Sequence, residues 1–126
     1  MNRTRPEHQH DDARGRIIDI LAKETIDAVT IITSAKGTTR GHHYHLETTQ
    51  WVYLLEGRMK VLTQMPDSAV VATILERGEL ILTPPKERHA MVALEESTFL
   101  VLTRGPRSGQ DYESDTYRLA EPLQEL

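Results

Sequence analysis

Histidine and glutamine cluster in one short stretch of the chain, RGHHYHLETTQ, which spans residues 40–50. His43 and His45 are two positions apart, so their imidazoles lie on one face if the stretch is a β-strand. Gln50 follows a short polar segment and can return to that face at the start of the next strand. His89 lies 44 residues beyond His45, after a Pro-Pro turn. We take these four side chains as the candidate site.

Two kinds of chemistry suit these residues. Three imidazoles and one amide oxygen are a plausible set of ligands for a divalent metal such as Mn, Fe, Ni or Zn. Histidine also titrates near neutral pH, so two imidazoles in a pocket can move a proton between neighbouring carbons of a sugar, with no metal cofactor. A purely structural role for the polar side chains is the third interpretation, and the spacing alone leaves all three open.

The residues next to the cluster suggest how a ligand would be bound. Arg40 suits bidentate recognition of a phosphate or carboxylate at the mouth of a pocket. His42 alternates with its neighbours and is predicted to point outward. Trp51 and Tyr53 have the opposite strand parity to Gln50, so they either form an aromatic wall or pack on the exterior or at a dimer interface. Arg40 and Trp51 are therefore predicted substrate-binding residues, and Tyr53 is a candidate catalytic acid.

Composition narrows the class of protein. The chain has 126 residues, enough for one domain, and a net charge of −4 with a sequence pI of about 5.8, which argues against nucleic-acid binding. It has no cysteine, which excludes disulfides and thiolate metal sites. No apolar run approaches the roughly 20 residues that span a bilayer, and no signal peptide is visible. We expect a cytoplasmic protein with a small-molecule ligand and no nucleic-acid or membrane partner.

The elements that position these residues are predicted to be strands. Short runs rich in Val, Ile, Leu, Thr and Tyr alternate with turn residues, which is typical of an all-β sandwich or jelly roll. Only residues 17–23 offer a short helix as an alternative. The predicted strands are Arg16–Leu21, Ala28–Thr33, Gln50–Leu55, Arg58–Gln64, Val70–Leu75, Leu80–Thr83, Ala90–Leu94 and Thr98–Thr103.

The chain divides into three predicted segments. Residues 1–14 are polar and lack periodicity, which predicts a flexible N-terminal tail whose own histidine pair, His8 and His10, is solvated. Residues 15–105 form the barrel, and residues 106–126 form a C-terminal extension that packs on it. The side chains predicted to dock the extension are Tyr112, Tyr117 and Leu119.

Two motifs carry a resemblance to the cupin superfamily. The stretch from Gly37 to Gly57 resembles the first cupin motif (Gly, five residues, HxH, three or four residues, Glu, six residues, Gly), with Gln50 in place of the usual Glu. The stretch from Gly78 to His89 resembles the second motif, with Lys86 in place of its second glycine. The resemblance implies a single-domain cupin, a double-stranded β-helix or jelly-roll barrel, in which His43, His45, Gln50 and His89 would be the metal ligands.

The RGHHYH segment is similar to several nucleotide-sugar cupins. In dTDP-4-keto-6-deoxyglucose 3,4-ketoisomerases, an RGxHAH segment is followed by Gln at the same spacing, and its two metal-free acid/base histidines would match His43 and His45. In dTDP-4-dehydrorhamnose 3,5-epimerases, the catalytic histidine of RGxHxQ would match His43. The metal-bound cupin domain of capsular-polysaccharide reductase/epimerases has a similar RGxHYH stretch, with Glu at the position of Gln50.

These resemblances imply an isomerase or epimerase of a keto-deoxy nucleotide sugar that uses His43 and His45 as acid and base. The alternatives are a metal-dependent cupin of other chemistry, such as a dioxygenase or lyase, and a ligand-sensing cupin without turnover. Family habit and the need to cover sheet edges predict a homodimer.

Overall fold

The computed structural model describes residues 2–106 and 114–125, and within them it contains strands and no helix, so none that could cross a membrane. Apolar side chains alternate with polar ones along the longer strands, as one buried sheet face requires. In chain order the strands are β1 (Arg3–Thr4), β2 (His10–Asp12), β3 (Gly15–Ile17), β4 (Ala28–Ser34), β5 (Thr39–Tyr44), β6 (Thr49–Glu56), β7 (Arg58–Gln64), β8 (Val71–Glu76), β9 (Leu80–Thr83), β10 (Arg88–Ala93), β11 (Ser97–Arg104) and β12 (Tyr117–Arg118).

Two five-stranded antiparallel sheets form the body of the molecule. One has the strand order β1-β9-β6-β11-β4 and the other β12-β5-β10-β7-β8, while β2 and β3 form a separate hairpin. Sequential strands repeatedly cross from one sheet to the other, as they do in a jelly roll. The predicted all-β jelly-roll fold is therefore confirmed.

Seven of the eight predicted strands occur within two residues of their predicted ends. The eighth is wrong in extent, because β3 ends at Ile17 and no helix follows it. Ile20, Leu21 and Ile26 instead cover the outer face of the first sheet, packing around Trp51. Strand β5 is absent from the predicted list because it contains few apolar residues, although the HxH argument assumed strand geometry there.

The N-terminal segment also departs from the prediction. Residues 1–14 were expected to form a flexible tail, yet β1 pairs with β9, with Arg3 opposite Ile81, and β2 pairs with β3. Polar contacts hold β1 in place, since Arg3 donates a hydrogen bond to the Ile74 carbonyl at 2.7 Å and lies 3.9 Å from the Glu79 carboxylate. The sequence showed no apolar pattern here that would have predicted a strand. The division into three segments otherwise remains a prediction.

The core lies between the two five-stranded sheets. Its fully buried side chains come from β6, β7, β8 and β11, and each contributes roughly 1.5–3 kcal/mol to folding through removal of apolar surface from water. Ile32, Met91 and Val101 belong to this core and also line the candidate pocket, so the pocket rests on rigidly packed side chains. The largest of the fully buried core residues are Leu54, Met59, Leu75 and Phe99.

Candidate active site

A pocket of about 440 Å³ brings the predicted site residues together between the two sheets. Strand β5 supplies His43, the residue directly after it is His45, β10 supplies His89, and β6 supplies Gln50. The C-terminal segment adds an unpredicted arginine. The polar residues that line it include His43, His45, His89, Gln50, Arg40 and Arg118. Their convergence is a finding, whereas their chemical roles remain predictions.

Strand pairing sets the distances within the histidine cluster. His43 on β5 lies opposite His89 on β10, and the centroids of their rings are 4.7 Å apart in an edge-to-face arrangement. The His45 ring lies 5.0 Å from His43 and 5.2 Å from His89, measured between centroids. One nitrogen from each ring lies within 4.8 Å of the other two, so the rings can act on one small group of atoms.

A glycine allows the close approach of β5 and β10. Gly41 has a φ of 104°, and a Cβ at this position would lie 2.8 Å from the carbonyl oxygen of His89. The pairing of the two strands also shifts its register between His89 and Ala90. Any larger side chain at Gly41 would therefore push apart the two strands that carry His43 and His89.

Hydrogen bonds define the tautomers of two of the histidines. The Nδ1 atom of His45 lies 2.9 Å from the carbonyl oxygen of Asp115, and that of His89 lies 3.3 Å from the carbonyl oxygen of Glu87. A carbonyl oxygen only accepts hydrogen bonds, so each Nδ1 must carry the proton and each Nε2 must present a lone pair. Nδ1 of His43 and Nε2 of His45 and His89 are buried, and none has a hydrogen-bond partner within the described part of the chain.

The environment keeps His43 and His89 uncharged at neutral pH. Burial lowers the pKa of His43 to about 4, with further contributions from the positive charges of His45, Arg118 and His42. Burial, together with His43 and His45, lowers the pKa of His89 to about 3, although its hydrogen bond to Glu87 opposes that change. At neutral pH both imidazoles are therefore proton acceptors.

Two arginines provide positive charge beside the neutral histidines. The guanidinium group of Arg40 is exposed, but it donates hydrogen bonds to Ser34 Oγ and to the Thr33 carbonyl, both at 2.9 Å. It is therefore oriented before any ligand arrives. Arg118 on β12 lines the same pocket, and β12 pairs with β5 so that Arg118 lies opposite His43.

Two predicted ligand-contacting residues lie elsewhere. Trp51 is only 5% exposed and packs on the outer face of the first sheet, with the Arg104 guanidinium 5.4 Å from its ring centroid. Tyr53 packs against the same cluster and lines a separate cavity of about 760 Å³. Of the two interpretations offered for this pair, the structure matches packing on the exterior, because β6 turns its odd-numbered side chains near Gln50 away from the barrel interior. The roles of Trp51 in substrate binding and of Tyr53 in catalysis stay untested predictions.

His42 does face away from the pocket, as predicted. Its φ of 57° turns the side chain out of the strand pattern, and its Nδ1 accepts a hydrogen bond from the Leu123 backbone at 3.0 Å. The C-terminal segment thus covers His42. Of the predicted docking residues, Tyr117 stacks on Tyr44 and Leu119 packs near Leu123, whereas Tyr112 lies outside the described residues.

The sequence analysis missed three polar residues near the histidines. Arg118 is one, and Glu87 and Asp115 are buried carboxyl groups, 6% and 5% exposed. Burial raises the pKa of Glu87 to about 7. Burial also opposes ionisation of Asp115, but hydrogen bonds from Glu47, Leu46 and Thr48 bring its pKa below the usual range. No local pattern in the sequence marks Glu87 or Asp115 as a neighbour of the site.

Solved structures with this fold include several sugar-modifying enzymes. A double mutant of the 3,4-ketoisomerase QdtA from Thermoanaerobacterium thermosaccharolyticum, in complex with TDP, is 26% identical, with 94% of this chain and 88% of that chain covered and a TM-score of 0.74. The rmlC epimerase of Mycobacterium tuberculosis is 16% identical, with 93% and 67% covered and a TM-score of 0.77. A 3,4-ketoisomerase from Helicobacter canadensis is 20% identical, with 92% and 88% covered and a TM-score of 0.75.

The fold is that of a cupin, and the solved structures that share it include 3,4-ketoisomerases and an epimerase. The chain belongs to the polysaccharide biosynthesis C-terminal domain family, whose sequence model matches residues 10–117. No curated protein is similar enough in sequence to count as a relative.

Proposed function

We propose that this cupin is an isomerase or epimerase of a keto-deoxy sugar carried on a nucleoside diphosphate. One observation carries the proposal: His43 lines the pocket, its buried Nδ1 has no hydrogen-bond partner among the described residues, and the pKa of its ring is lowered to about 4. A neutral, unpartnered imidazole is a competent general base. The sugar-modifying activities of the neighbours support a catalytic over a purely sensing role.

The two histidines of the HxH pair have distinct parts in a ketone isomerisation. His43 removes the proton from the carbon next to the ketone, an enediol forms, and His43 returns the proton to the neighbouring carbon. Nε2 of His45 has a free lone pair, so it accepts the hydroxyl proton where the new ketone forms and delivers it to the oxygen of the old ketone. One C–H proton and one O–H proton each move to the neighbouring position, so the product is an isomer of the substrate.

Epimerisation needs only part of this sequence. The enediol that His43 generates is planar at the reacting carbon, so return of a proton to its opposite face inverts that carbon. Tyr53 lies in a different cavity, and the acid that protonates the opposite face therefore has to come from the pocket. His45 lines the pocket, and it can supply this proton only after its Nε2 has taken one up from the substrate hydroxyl or from solvent, because its Nδ1 proton is bonded to the Asp115 carbonyl.

The arginines suit the nucleotide end of such a substrate. A diphosphate carries negative charge, and guanidinium groups bind phosphate oxygens in pairs. Arg40 and Arg118 both line the pocket that contains the histidines. The TDP bound to QdtA is a ligand of this chemical kind in a neighbour.

A binding and turnover experiment tests this proposal. Millimolar TDP or UDP is expected to raise the melting temperature, since a ligand that binds only the folded state stabilises it. The protein with dTDP-4-keto-6-deoxyglucose in D2O should incorporate deuterium next to the ketone, as measured by mass spectrometry. His43→Ala should lower the rate by about 10²- to 10⁴-fold, whereas His8→Ala, an exposed histidine outside this pocket, should not. Unchanged turnover in His43→Ala would contradict the role of His43 in proton transfer.

A metal-dependent reaction is the second candidate, and a separate observation favours it. Three buried imidazole nitrogens converge within 4.8 Å, with Gln50 in the same pocket. Because two of these nitrogens are fixed as lone-pair donors by hydrogen bonds on the far side of their rings, the donor set fits a divalent metal held by His43, His45, His89 and Gln50. Such an ion would polarise a ligand carbonyl, in an isomerase, a dioxygenase or a lyase.

Elemental analysis separates the two candidates. The hypothesis of a metal-dependent reaction predicts about one equivalent of Mn, Fe, Ni or Zn in the purified protein, and loss of this metal in His89→Ala. A three-histidine site binds its ion tightly. A metal content below about a tenth of an equivalent, both as purified and after incubation with each metal, would therefore count against this hypothesis.

A further inference from the structure

Asp115 is the most completely hydrogen-bonded carboxylate near the pocket. Its Oδ1 accepts from the backbone N–H of Leu46 at 3.0 Å. Its Oδ2 accepts from the backbone N–H groups of Glu47 at 2.8 Å and Thr48 at 2.9 Å, and from the Thr48 hydroxyl at 2.8 Å. The side chain therefore caps three successive N–H groups of the loop between β5 and β6.

The same residue contacts His45 through its main chain. Its carbonyl oxygen accepts the hydrogen bond from Nδ1 of His45 at 2.9 Å, in a buried position. Asp115 precedes Thr116 and Arg118, which line the pocket. One residue therefore connects the C-terminal segment, the loop and a ring of the site.

We propose that Asp115 is a positioning residue for His45: its carboxylate anchors the C-terminal segment to the loop at 46–48, so that its carbonyl oxygen holds the His45 ring with the Nε2 lone pair facing the pocket. The imidazole ring of His45 has no other hydrogen-bond partner among the described residues. Without the anchor, the ring has no fixed acceptor, and the proton can move to Nε2, which disables Nε2 as an acceptor or ligand.

The carboxylate is the part of Asp115 that an amide cannot replace. Four donors converge on its two oxygens, and hydrogen bonds to a charged acceptor are stronger than those to a neutral one. Asp115→Asn keeps the size and the main-chain carbonyl but directs an NH2 group at N–H donors. It therefore releases the anchor without removing the atom that His45 contacts.

The tautomer of His45 is the direct readout, measured by two-bond ¹H–¹⁵N correlation spectra of the full chain. In the wild-type protein His45 is expected to carry its proton on Nδ1 only. Asp115→Asn should convert this to a mixture of tautomers, and Thr48→Val, which removes one of the four donors, should give a smaller conversion. The matched control is Asp19→Asn, an exposed carboxyl with no hydrogen bond or ion pair among the described contacts, which should leave the spectrum unchanged.

Turnover provides a second readout that rests on the proposed function. Loss of a group that orients a site histidine typically costs about 10- to 100-fold in activity, and we expect a loss of this size in kcat. A folded Asp115→Asn protein in which His45 remains entirely Nδ1-protonated would overturn the proposal. If Asp115→Asn does not fold, an unchanged tautomer in Thr48→Val overturns it equally. If the tautomer shifts but the wild-type protein turns over no nucleotide sugar, the positioning role stands and the proposed function fails.

Discussion

At the scale of single residues, the site is a set of groups whose neutral forms are favoured. His43 and His89 lose basicity through burial, and Glu87 loses acidity for the same reason, its pKa rising to about 7. Burial therefore disfavours the charged forms of these groups in and beside the pocket. The positive charge that a nucleotide would require comes from Arg40 and Arg118, which line the same pocket.

The lowered pKa of His43 predicts an unusual acid limit for turnover. A general base works only when unprotonated, so kcat/KM should be flat from pH 8 down to about 5 and fall about tenfold per pH unit below about 4. A histidine with the usual pKa of 6.5 would give this decline near pH 6.5. Rates should be measured alongside circular dichroism, since acid also favours the unfolded state, whose histidines bind protons more readily. A decline centred near 6.5 in the folded protein would contradict a neutral, buried His43.

Replacement of Glu87 by glutamine predicts a pH-dependent gain in stability. The pKa of Glu87 is raised in the folded state from 4.5 to about 7, so its favourable contribution is present below pH 4.5 and is lost as pH rises through about 7. Glu87→Gln should therefore raise the free energy of unfolding by roughly 1–3 kcal/mol at pH 8 and change it little at pH 4.5. Urea denaturation at both pH values measures this, with exposed Glu96→Gln as the control. Equal effects at the two pH values would refute the shift.

At the scale of elements, the pocket depends on how closely β5 and β10 approach each other. The predicted HxH geometry required a strand, and the sequence supported it only through the spacing of His43 and His45. Their neighbour His89 could be linked to them only by the family motif, because pairing between strands about 45 residues apart leaves no local signal. The alternation of side chains along β6 was predictable, so Gln50 and Trp51 had to lie on opposite faces of the sheet. Which of the two faces the barrel interior depends on residues 20–26, which pack around Trp51 on the outer face.

Gly37, which lies just before β5, and Gly41, which lies within β5, give a matched test of this close approach. Gly37 and Gly41 both have positive φ, 87° and 104°, but a Cβ at Gly37 meets nothing within 4 Å, whereas one at Gly41 lies 2.8 Å from the His89 carbonyl oxygen. Gly37→Ala should cost about 1 kcal/mol from backbone strain alone. Gly41→Ala should cost roughly 1–3 kcal/mol more and should also reduce turnover, as judged by urea denaturation and kcat. Equal losses in the two variants would contradict the close approach of the strands.

At the scale of the whole molecule, the sequence predicted the class of fold well, but it predicted poorly how the N-terminal and C-terminal segments pair with the sheets. Alternating apolar residues and turn chemistry mark the strands, and two spaced motifs mark the barrel. Asp115 and Arg118 escaped notice because their importance comes from contacts with residues about 70 positions earlier in the chain. The tail at residues 1–14 was misread because β1 is fixed mainly by polar contacts.

The open edges of the sheets predict self-association. Strand β4 lies at an edge of the first sheet and exposes Val29 and Ile31, which are 64% and 65% accessible. Long apolar edge strands are usually covered, so we expect a homodimer with twice the 14.3 kDa mass of the chain. Light scattering after size-exclusion chromatography measures the mass directly. A mass equal to a single chain at micromolar concentration would contradict the prediction.

The position of Asp115 in the chain has a consequence for truncation. A chain cut after β11 keeps every strand of the two sheets except β12. It keeps His43, His45 and His89 as well, but it loses the Asp115 carbonyl that accepts the hydrogen bond of the His45 ring. Such a fragment therefore retains the site histidines without the contact that fixes the tautomer of one of them.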